Sequence, residues 1–296
     1  MSIFPKFSKL TISDKDLVDG IISRFEPYSD FNFMSMYCWD VDNTAKITIL
    51  NDNLVIKIPD YLTGETTYSI IGNKLMDKSL KELFTVTDHL RFVPQSVIDS
   101  LKAPDLYEIK EDRDHFDYIY QLEDLIKTPG KKYKSLRNKI NQSSQIHSDY
   151  SLATFDQLSD EKRKEFRKIF REWTTSSEHR KDNDAVIEGR VIDRFFDHAA
   201  QHNLICMEIA VNGRSVGFSI NEILLNGEYA VCHIQKAIHS YRNIDTILTQ
   251  YSSQVLFDRG CRFINWEQDL GLIGLRQLKK SYRPANYLKK YIITPV

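Results

Sequence analysis

Apolar residues recur along this chain at two spacings, and each change of spacing marks an element. Near the start, "SDKDLVDGIISRF" (13–25) places polar capping residues before an apolar stripe, which predicts a helix. "FNFMSMYCWD" (31–40) predicts a second helix, rich in aromatics. "KITILNDNLVIKIP" (46–59) is two β-rich runs around Asn-Asp-Asn, a hairpin signal. Residues 75–84 read as helix, "RFV" (91–93) as strand, "PQSVIDSL" (94–101) as helix and "HFDYIYQ" (115–121) as strand. The first half is therefore expected to form a mixed α/β unit.

The second half shows the same alternation more clearly. Phe166, Ile169, Phe170 and Trp173 fall at i, i+3, i+4 and i+7, and Ile187, Val191, Phe195 and Ala199 mark another helix. Three strands follow, "LICMEIAV" (204–211), "SVGFSINEIL" (215–224) and "EYAVCHIQKA" (228–237), joined across Asn212-Gly213 and Asn226-Gly227. Ile244, Ile247, Leu248, Tyr251 and Val255 then form a long helical stripe. The strand "CRFINWE" (261–267), the helix "LIGLRQLKKSY" (272–282) and the strand "NYLKKYIITP" (286–295) close the chain. This order is an antiparallel meander, one βαβ crossover and a final strand. The expected division is an N-terminal domain over 1–125, a basic linking helix over 126–150 and a C-terminal domain over 151–296.

Bulk composition narrows the function classes only a little. The 296 residues carry a net charge of -1, so any attraction to nucleic acid or anionic lipid must be local. Cys38, Cys206, Cys232 and Cys261 are far apart and form no CxxC, which fits buried free thiols in a cytoplasmic protein. No stretch approaches the ~20 apolar residues of a membrane span, although contact with a membrane surface stays open. GxGxxG, P-loop and GxSxG motifs are absent from the sequence, and His198 and His202 have no third ligand to make a metal site.

Three stretches concentrate candidate chemistry. "LIKTPGKKYKSLRNKINQ" (125–142) holds Lys127, Lys131, Lys132, Lys134, Arg137 and Lys139 with no acid among them. It starts at Pro-Gly and reads as a helix, so Lys131, Lys132, Arg137 and Asn138 are candidates for holding donor phosphates; a solvated helical face is the alternative. In the strand 228–237, Ala230, Cys232, Ile234 and Lys236 share a face, so Lys236 ends an apolar row where α/β folds keep a ligand crevice, or snorkels to solvent. In "NWEQDLGLIGLRQLKKSYRP" (265–284), Asn265, Glu267 and Asp269 share a parity at a strand end. Two carboxylates so close would raise each other's pKa, making Glu267 or Asp269 a proton acceptor; equally, Asp269 could cap the next helix and Glu267 pair with a lysine. That helix is expected to turn Leu272, Leu275 and Leu278 inward and Arg276, Lys279, Lys280 and Arg283 outward. Asn265, Trp266, Arg276, Lys279 and Tyr282 would then line a substrate site.

The blocks "EDRDHFDYIYQLEDLIKTPGKKYKSLRNKINQ", "HIQKA" and "INWEQDLGLIGLRQLKKSYRP" resemble a bacterial domain family grouped with the C-terminal domain of phosphatidylglycerol lysyltransferases. The resemblance implies an α/β (α+β) fold of tandem GNAT-like acyltransferase domains, each a mixed, mostly antiparallel sheet flanked by helices. It also implies distant kinship with Fem-type aminoacyltransferases. The implied function is aminoacyl transfer, dependent on aminoacyl-tRNA, to a lipid, peptide or small amine. Glu267 or Asp269 would accept the proton, Lys236 would steady substrate or oxyanion, and the 131–139 cations would hold the donor. No cofactor is required on this reading. The place of the Gly-rich acetyl-CoA loop is taken by "HSYRNIDTIL" (239–248), without glycine, which makes acyl-CoA a less suitable donor than tRNA. The alternative is a non-catalytic GNAT-like protein that binds a small ligand or RNA.

Overall fold

Hairpin turns form where the residue types allow a left-handed backbone. Asn51 (φ 49°) and Asp52 (φ 62°) both adopt it, as do Asn212 (φ 51°) and Gly213 (φ 75°), so each pair closes a two-residue turn whose twist matches the flanking strands. In the computed structural model, residues 2–59, 65–175, 182–199 and 202–296 are described. They divide into one unit of residues 1–117, 267–273 and 287–296 and a second of residues 118–266 and 274–286.

The first unit runs β1 (Ser8–Lys9), α1 (Lys15–Ile22), α2 (Phe33–Trp39), β2 (Lys46–Leu50), β3 (Asn53–Pro59), β4 (Thr66–Ile71), α3 (Met76–Leu83), β5 (Leu90–Pro94), α4 (Gln95–Ile98) and β6 (Tyr107–Glu111). Asn32 caps α2 by accepting from the Ser35 amide at 2.8 Å. Strands β1 to β4 form an antiparallel sheet in sequence order. Strands β4 and β6 carry weaker apolar alternation and are not apparent from the pattern alone.

The chain continues as β7 (Asp117–Gln121), α5 (Leu122–Lys127), α6 (Lys134–Ile146), β8 (Tyr150–Phe155), α7 (Asp160–Thr175), α8 (Asp182–His198), β9 (Leu204–Val211), β10 (Arg214–Ile223), β11 (Tyr229–Ala237), α9 (Ile244–Asp258), β12 (Phe263–Asn265), α10 (Ile273–Ser281) and β13 (Asn286–Leu288). These strands form a sheet in the order β13-β7-β12-β11-β10-β9-β8. The meander β8 to β11 is antiparallel, and β11 to β12 is the parallel pair that the crossover through α9 makes necessary. β9 is buried along its whole length, so α7 and α8 must supply apolar faces. Phe166 of α7 does so, stacking on Phe218 of β10 at 4.8 Å and 7°.

The terminal strand differs from the single run expected over 286–295. It splits into β13 and β14 (Lys290–Pro295), and β14 enters the first unit between β5 and β6. Tyr291 and Ile293 of β14 join Leu50, Val55, Ile70, Leu80, Leu90 and Val93 in that unit's core. The strand "CRFINWE" is also shorter than expected. It stops at Asn265, because Glu267 (φ 55°) and Leu270 (φ 56°) take left-handed conformations that no strand can continue through.

Candidate functional site

A basic cleft of about 620 Å³ lies in the second unit. Gly130, at φ 68°, lets the chain turn after Pro129 into a 3₁₀ turn over Lys131–Tyr133, which runs directly into α6. Tyr133 anchors the turn from below: it is buried, and its hydroxyl donates to Asp124 Oδ2 at 3.1 Å. Burial and the Asp124 charge together push the phenol well above its usual range, so it stays a neutral donor. With the aromatic side buried, the lysines are left to face outward. Lys131, Lys132, Lys134, Lys139 and Arg283 line the cleft with Ser135, Asn138 and Gln142, and no carboxylate lines it. Arg283 is fixed there through its Nε, which donates to the Lys132 carbonyl at 3.2 Å.

Three of the four donor-binding candidates, Lys131, Lys132 and Asn138, therefore share this cleft. Arg137 does not line it. Its guanidinium donates to the carbonyls of Thr128 and Gly130, so it holds the turn that presents the lysines. Lys132 has a second contact, with Asp124 Oδ2 at 3.3 Å, but remains largely exposed. Asn243, which precedes α9, donates to Gln142 Oε1 at 3.4 Å and so ties the cleft wall to the start of that helix. At the entry to α9, the amides of Tyr241, Ile244 and Thr246 bond to the carbonyls of Ile238, Tyr241 and Asn243.

Residues 265–269 are not one face of a strand, as expected, but a run of separate anchors. Asn265 is fully buried in β12. Trp266 packs against Tyr120 at 4.3 Å and Tyr282 at 4.8 Å, and its carbonyl accepts from Lys279 Nζ. Lys279 and Tyr282 are themselves buried, and Tyr120 donates to the Lys279 carbonyl at 2.8 Å. This corrects the expected orientation of α10: Lys279 faces in, while Leu272 and Leu278 face out. The reason is that Trp266 leaves a carbonyl in an aromatic setting, where an ammonium satisfies it and a leucine cannot. Arg276 is half-buried on the same helix.

In the first unit, Glu267 is half-buried, and its Oε1 accepts from Ser35 Oγ at 3.1 Å. Asp269 is fully buried. Its Oδ2 meets Arg113 Nη1 at 3.1 Å, and its Oδ1 accepts from the Gly271 amide at 3.0 Å. The two acids thus have different partners, and the Gly271 amide that Asp269 accepts from lies two residues ahead of α10 rather than within it. Lys236, in the second unit, pairs with Glu188 at 3.0 Å and lies 3.8 Å from the centre of the Trp173 ring.

The sequence reading missed a buried charge cluster in the first unit. Lys290 is fully buried, donates to Asp117 Oδ1 at 2.7 Å and Ser29 Oγ at 3.1 Å, and pairs with Asp30. Gln268 completes the cluster, donating to Asp30 Oδ1 at 2.6 Å. Burial alone would lower the Lys290 pKa, but Asp117 and Asp30 outweigh it and hold the ammonium above its ordinary range. Burial raises the Asp30 carboxyl, against the pull of Lys290. The Glu222–His233 pair in the second unit, at 3.1 Å with both side chains buried, was also missed.

A family model for the C-terminal domain of phosphatidylglycerol lysyltransferase matches residues 26–294. The chain belongs to this family. The match spans all three blocks that carried the resemblance, and the mixed α/β fold with mostly antiparallel sheets flanked by helices that the resemblance implied is the fold present. Among solved structures, a conserved protein of unknown function from Bacteroides thetaiotaomicron is 24% identical, covers 98% of this chain and 99% of its own, and superposes with a TM-score of 0.84. L-PGS from Bacillus licheniformis is 13% identical, with 97% and 93% coverage and a TM-score of 0.62. FemX is 8% identical, with 98% and 97% coverage and a TM-score of 0.59. At these identities the likeness is one of fold. No curated protein matches the sequence. Among the described residues, this family member has no helix long and apolar enough to cross a membrane, and no group of side chains that could hold a metal ion.

Proposed function

We propose that the chain is an aminoacyltransferase whose donor is an aminoacyl-tRNA, held through its phosphates by the basic cleft. The observation that carries this reading is the cleft itself: five cations around about 620 Å³, with no lining carboxylate, in a protein of net charge -1. Like charges gathered this closely repel one another, and a polyanion relieves that repulsion while releasing its own counterions. Membership of the phosphatidylglycerol lysyltransferase C-terminal family supports transfer as the class of reaction. An acyl-CoA donor fits less well. Three amides at the glycine-free entry to α9, those of Tyr241, Ile244 and Thr246, are already bonded to nearby carbonyls, leaving fewer to wrap a pyrophosphate.

In the proposed reaction the acceptor amine or hydroxyl attacks the carbonyl carbon of the aminoacyl ester. The new amide or ester bond forms, the bond to the ribose oxygen breaks, and that oxygen takes a proton. Glu267 is assigned as the group that accepts the acceptor's proton. Asp269 is assigned a positioning role, through Arg113 and the Gly271 amide. Lys236 is assigned to substrate only if it leaves Glu188. The second reading is a non-catalytic RNA-binding protein, favoured by the ion pairs that already occupy Asp269 and Lys236.

Replacing Lys131 and Lys132 together by alanine should weaken tRNA binding and reduce its salt dependence by about one to two phosphate equivalents. Titrating binding against salt for both proteins checks this; an unchanged slope points to a merely solvated helix. Transfer of a labelled amino acid from aminoacyl-tRNA separates the two readings, since the non-catalytic one predicts binding without transfer. Micromolar affinity for acetyl-CoA would overturn the donor assignment.

A further inference from the structure

Strand β6 is an edge of the three-stranded sheet β5-β14-β6, and among the described residues no strand pairs with its outer side. Its ladder with β14 is antiparallel and runs without a bulge from Tyr291↔Glu111 to Pro295↔Tyr107. Opposed residues in such a ladder alternate between pairs that exchange backbone hydrogen bonds and pairs that do not. The Asp112 amide donates to the Lys290 carbonyl at 2.8 Å and the Val296 amide to the Leu106 carbonyl at 3.1 Å, so the even-numbered residues turn their backbone groups to β14. The odd-numbered ones, Tyr107, Ile109 and Glu111, turn theirs outward. The Pro104 carbonyl takes the Tyr107 amide, which leaves Ile109 and Glu111 to offer both groups and Tyr107 its carbonyl.

Edge strands are commonly blunted by proline, a bulge or charges that repel a second strand. β6 has no proline and no bulge, and its charges alternate in sign: Glu108 and Lys110 stand on one face, largely exposed, with their charged ends 2.8 Å apart. Their neighbours on β14, Thr294 and Ile292, are neutral. A second β6 laid antiparallel about a two-fold axis brings outward groups together when the axis passes through residue 108, 109 or 110. An axis through Glu108 sets that acid against its own copy, and an axis through Lys110 does the same for the lysine; like charges opposed across strands repel. An axis through Ile109 sets Glu108 of each copy opposite Lys110 of the other, twice. Those pairs fall between hydrogen-bonded ones, where opposed Cα atoms are only about 4.5 Å apart, and the two Ile109 residues exchange amide and carbonyl. On the other face Tyr107 falls opposite Glu111, whose carboxylate is already held by Lys289 at 2.6 Å. The strand is thus complementary in charge to itself, in one register.

We propose that β6 is the docking edge for a second copy of this chain, which pairs with it antiparallel about Ile109 and joins two three-stranded sheets into one of six strands. A foreign extended peptide would find the same open backbone groups, but the Glu108–Lys110 alternation selects a strand that carries the same two charges in reverse order, and the chain's own β6 is such a strand. A pairing of two five-residue strands is small, so the dimer is reversible and concentration-dependent. The inference goes beyond the aminoacyltransferase reading and does not rest on it, since no residue of β6 lines the basic cleft or is assigned a part in transfer.

The test is sedimentation velocity of the full chain from low to high micromolar concentration. The wild type should pass from monomer to dimer over that range. Glu108→Lys alone, or Lys110→Glu alone, sets like charges opposite each other at both pairs and should weaken dimerisation by about tenfold. Both side chains are largely exposed, so each variant should keep the urea midpoint of the wild type. Glu108→Lys combined with Lys110→Glu in one chain should restore the dimer. An equimolar mixture of the two single variants should also form it, at a concentration where neither associates by itself, because each supplies the charge the other lacks. Added salt should weaken all of these dimers, since the pairs are exposed. A wild type that stays monomeric throughout would overturn the proposal. So would a dimer that both single variants retain, which runs through another surface, or a mixture that fails to associate.

Discussion

Lys290→Met should destabilise the protein by about 3–5 kcal/mol, the largest single-residue effect expected outside the apolar core. Lys290 has no exposed surface, and its ammonium holds Asp117, Asp30 and Ser29 together. Methionine fills nearly the same volume, so the loss is electrostatic: two carboxylates remain buried without their cation. Equilibrium urea unfolding of both proteins measures it. Asp30→Asn and Asp117→Asn added to Lys290→Met should recover much of the loss, because neutral amides tolerate the site without a cation. If the triple variant is no more stable than the single one, shape rather than charge explains the position.

The same cluster sets a pH dependence of known sign. Lys290 has a raised folded pKa, so its contribution is fully present below the ordinary lysine value of about 10.4 and is lost as pH rises through the higher folded value. Asp30 is also raised, so its contribution is likewise greatest at low pH and declines as pH rises through its folded value. Removing Lys290 takes away the charge that restrains the Asp30 shift. The Lys290→Met protein should therefore become more stable as pH falls from about 7 to 5, as buried carboxyls protonate, and should lose the alkaline transition of the wild type.

Lys290 also shows why some of the structure was legible in the sequence and some was not. Turns and stripes are local: Asn51-Asp52 and Asn212-Gly213 announce their own backbone conformation, and the Phe166, Ile169, Phe170 series announces a helix and its buried face. The basic cleft was largely legible for the same reason, since its lysines are close in sequence on one turn and helix; only Arg283 comes from far away. "NYLKKYIITP" reads as one strand with solvated lysines. Nothing within it says that β14 will pair with β5 and β6, or that Asp30 and Asp117, 260 and 173 positions back, will make burial of Lys290 favourable. Alternation failed at 265–269 because parity presumes an extended backbone, and a left-handed Glu267 breaks it. Helix α10 misled in a related way. Its leucines repeat at three, so the pattern named an apolar side, but the inward side was decided by the Trp266 carbonyl, which only an amine could satisfy.

Glu267→Gln should leave the fold intact and abolish most transfer. A non-glycine residue at φ 55° costs roughly 1 kcal/mol or more in backbone strain, and here it is a glutamate that holds the position. Its Oε1 accepts from the Ser35 hydroxyl at 3.1 Å, a bond that a glutamine oxygen can also accept. Stability should therefore change by no more than ~1 kcal/mol. A lost general base lowers turnover by about 10²- to 10⁴-fold, far outside what so small a stability change can cause. Asp269→Asn supplies the contrast: its carboxylate is fully buried against Arg113, so its loss should appear mainly in urea unfolding. Glu267→Gly separates strain from chemistry, because it relieves the left-handed backbone and should be nearly as stable as the wild type yet as inactive as the glutamine variant. Once an acceptor is identified, single-turnover transfer by the three variants decides the assignment. Full activity in Glu267→Gln would remove the proton-acceptor role, and unfolding of that variant would make Glu267 a structural residue like its neighbour.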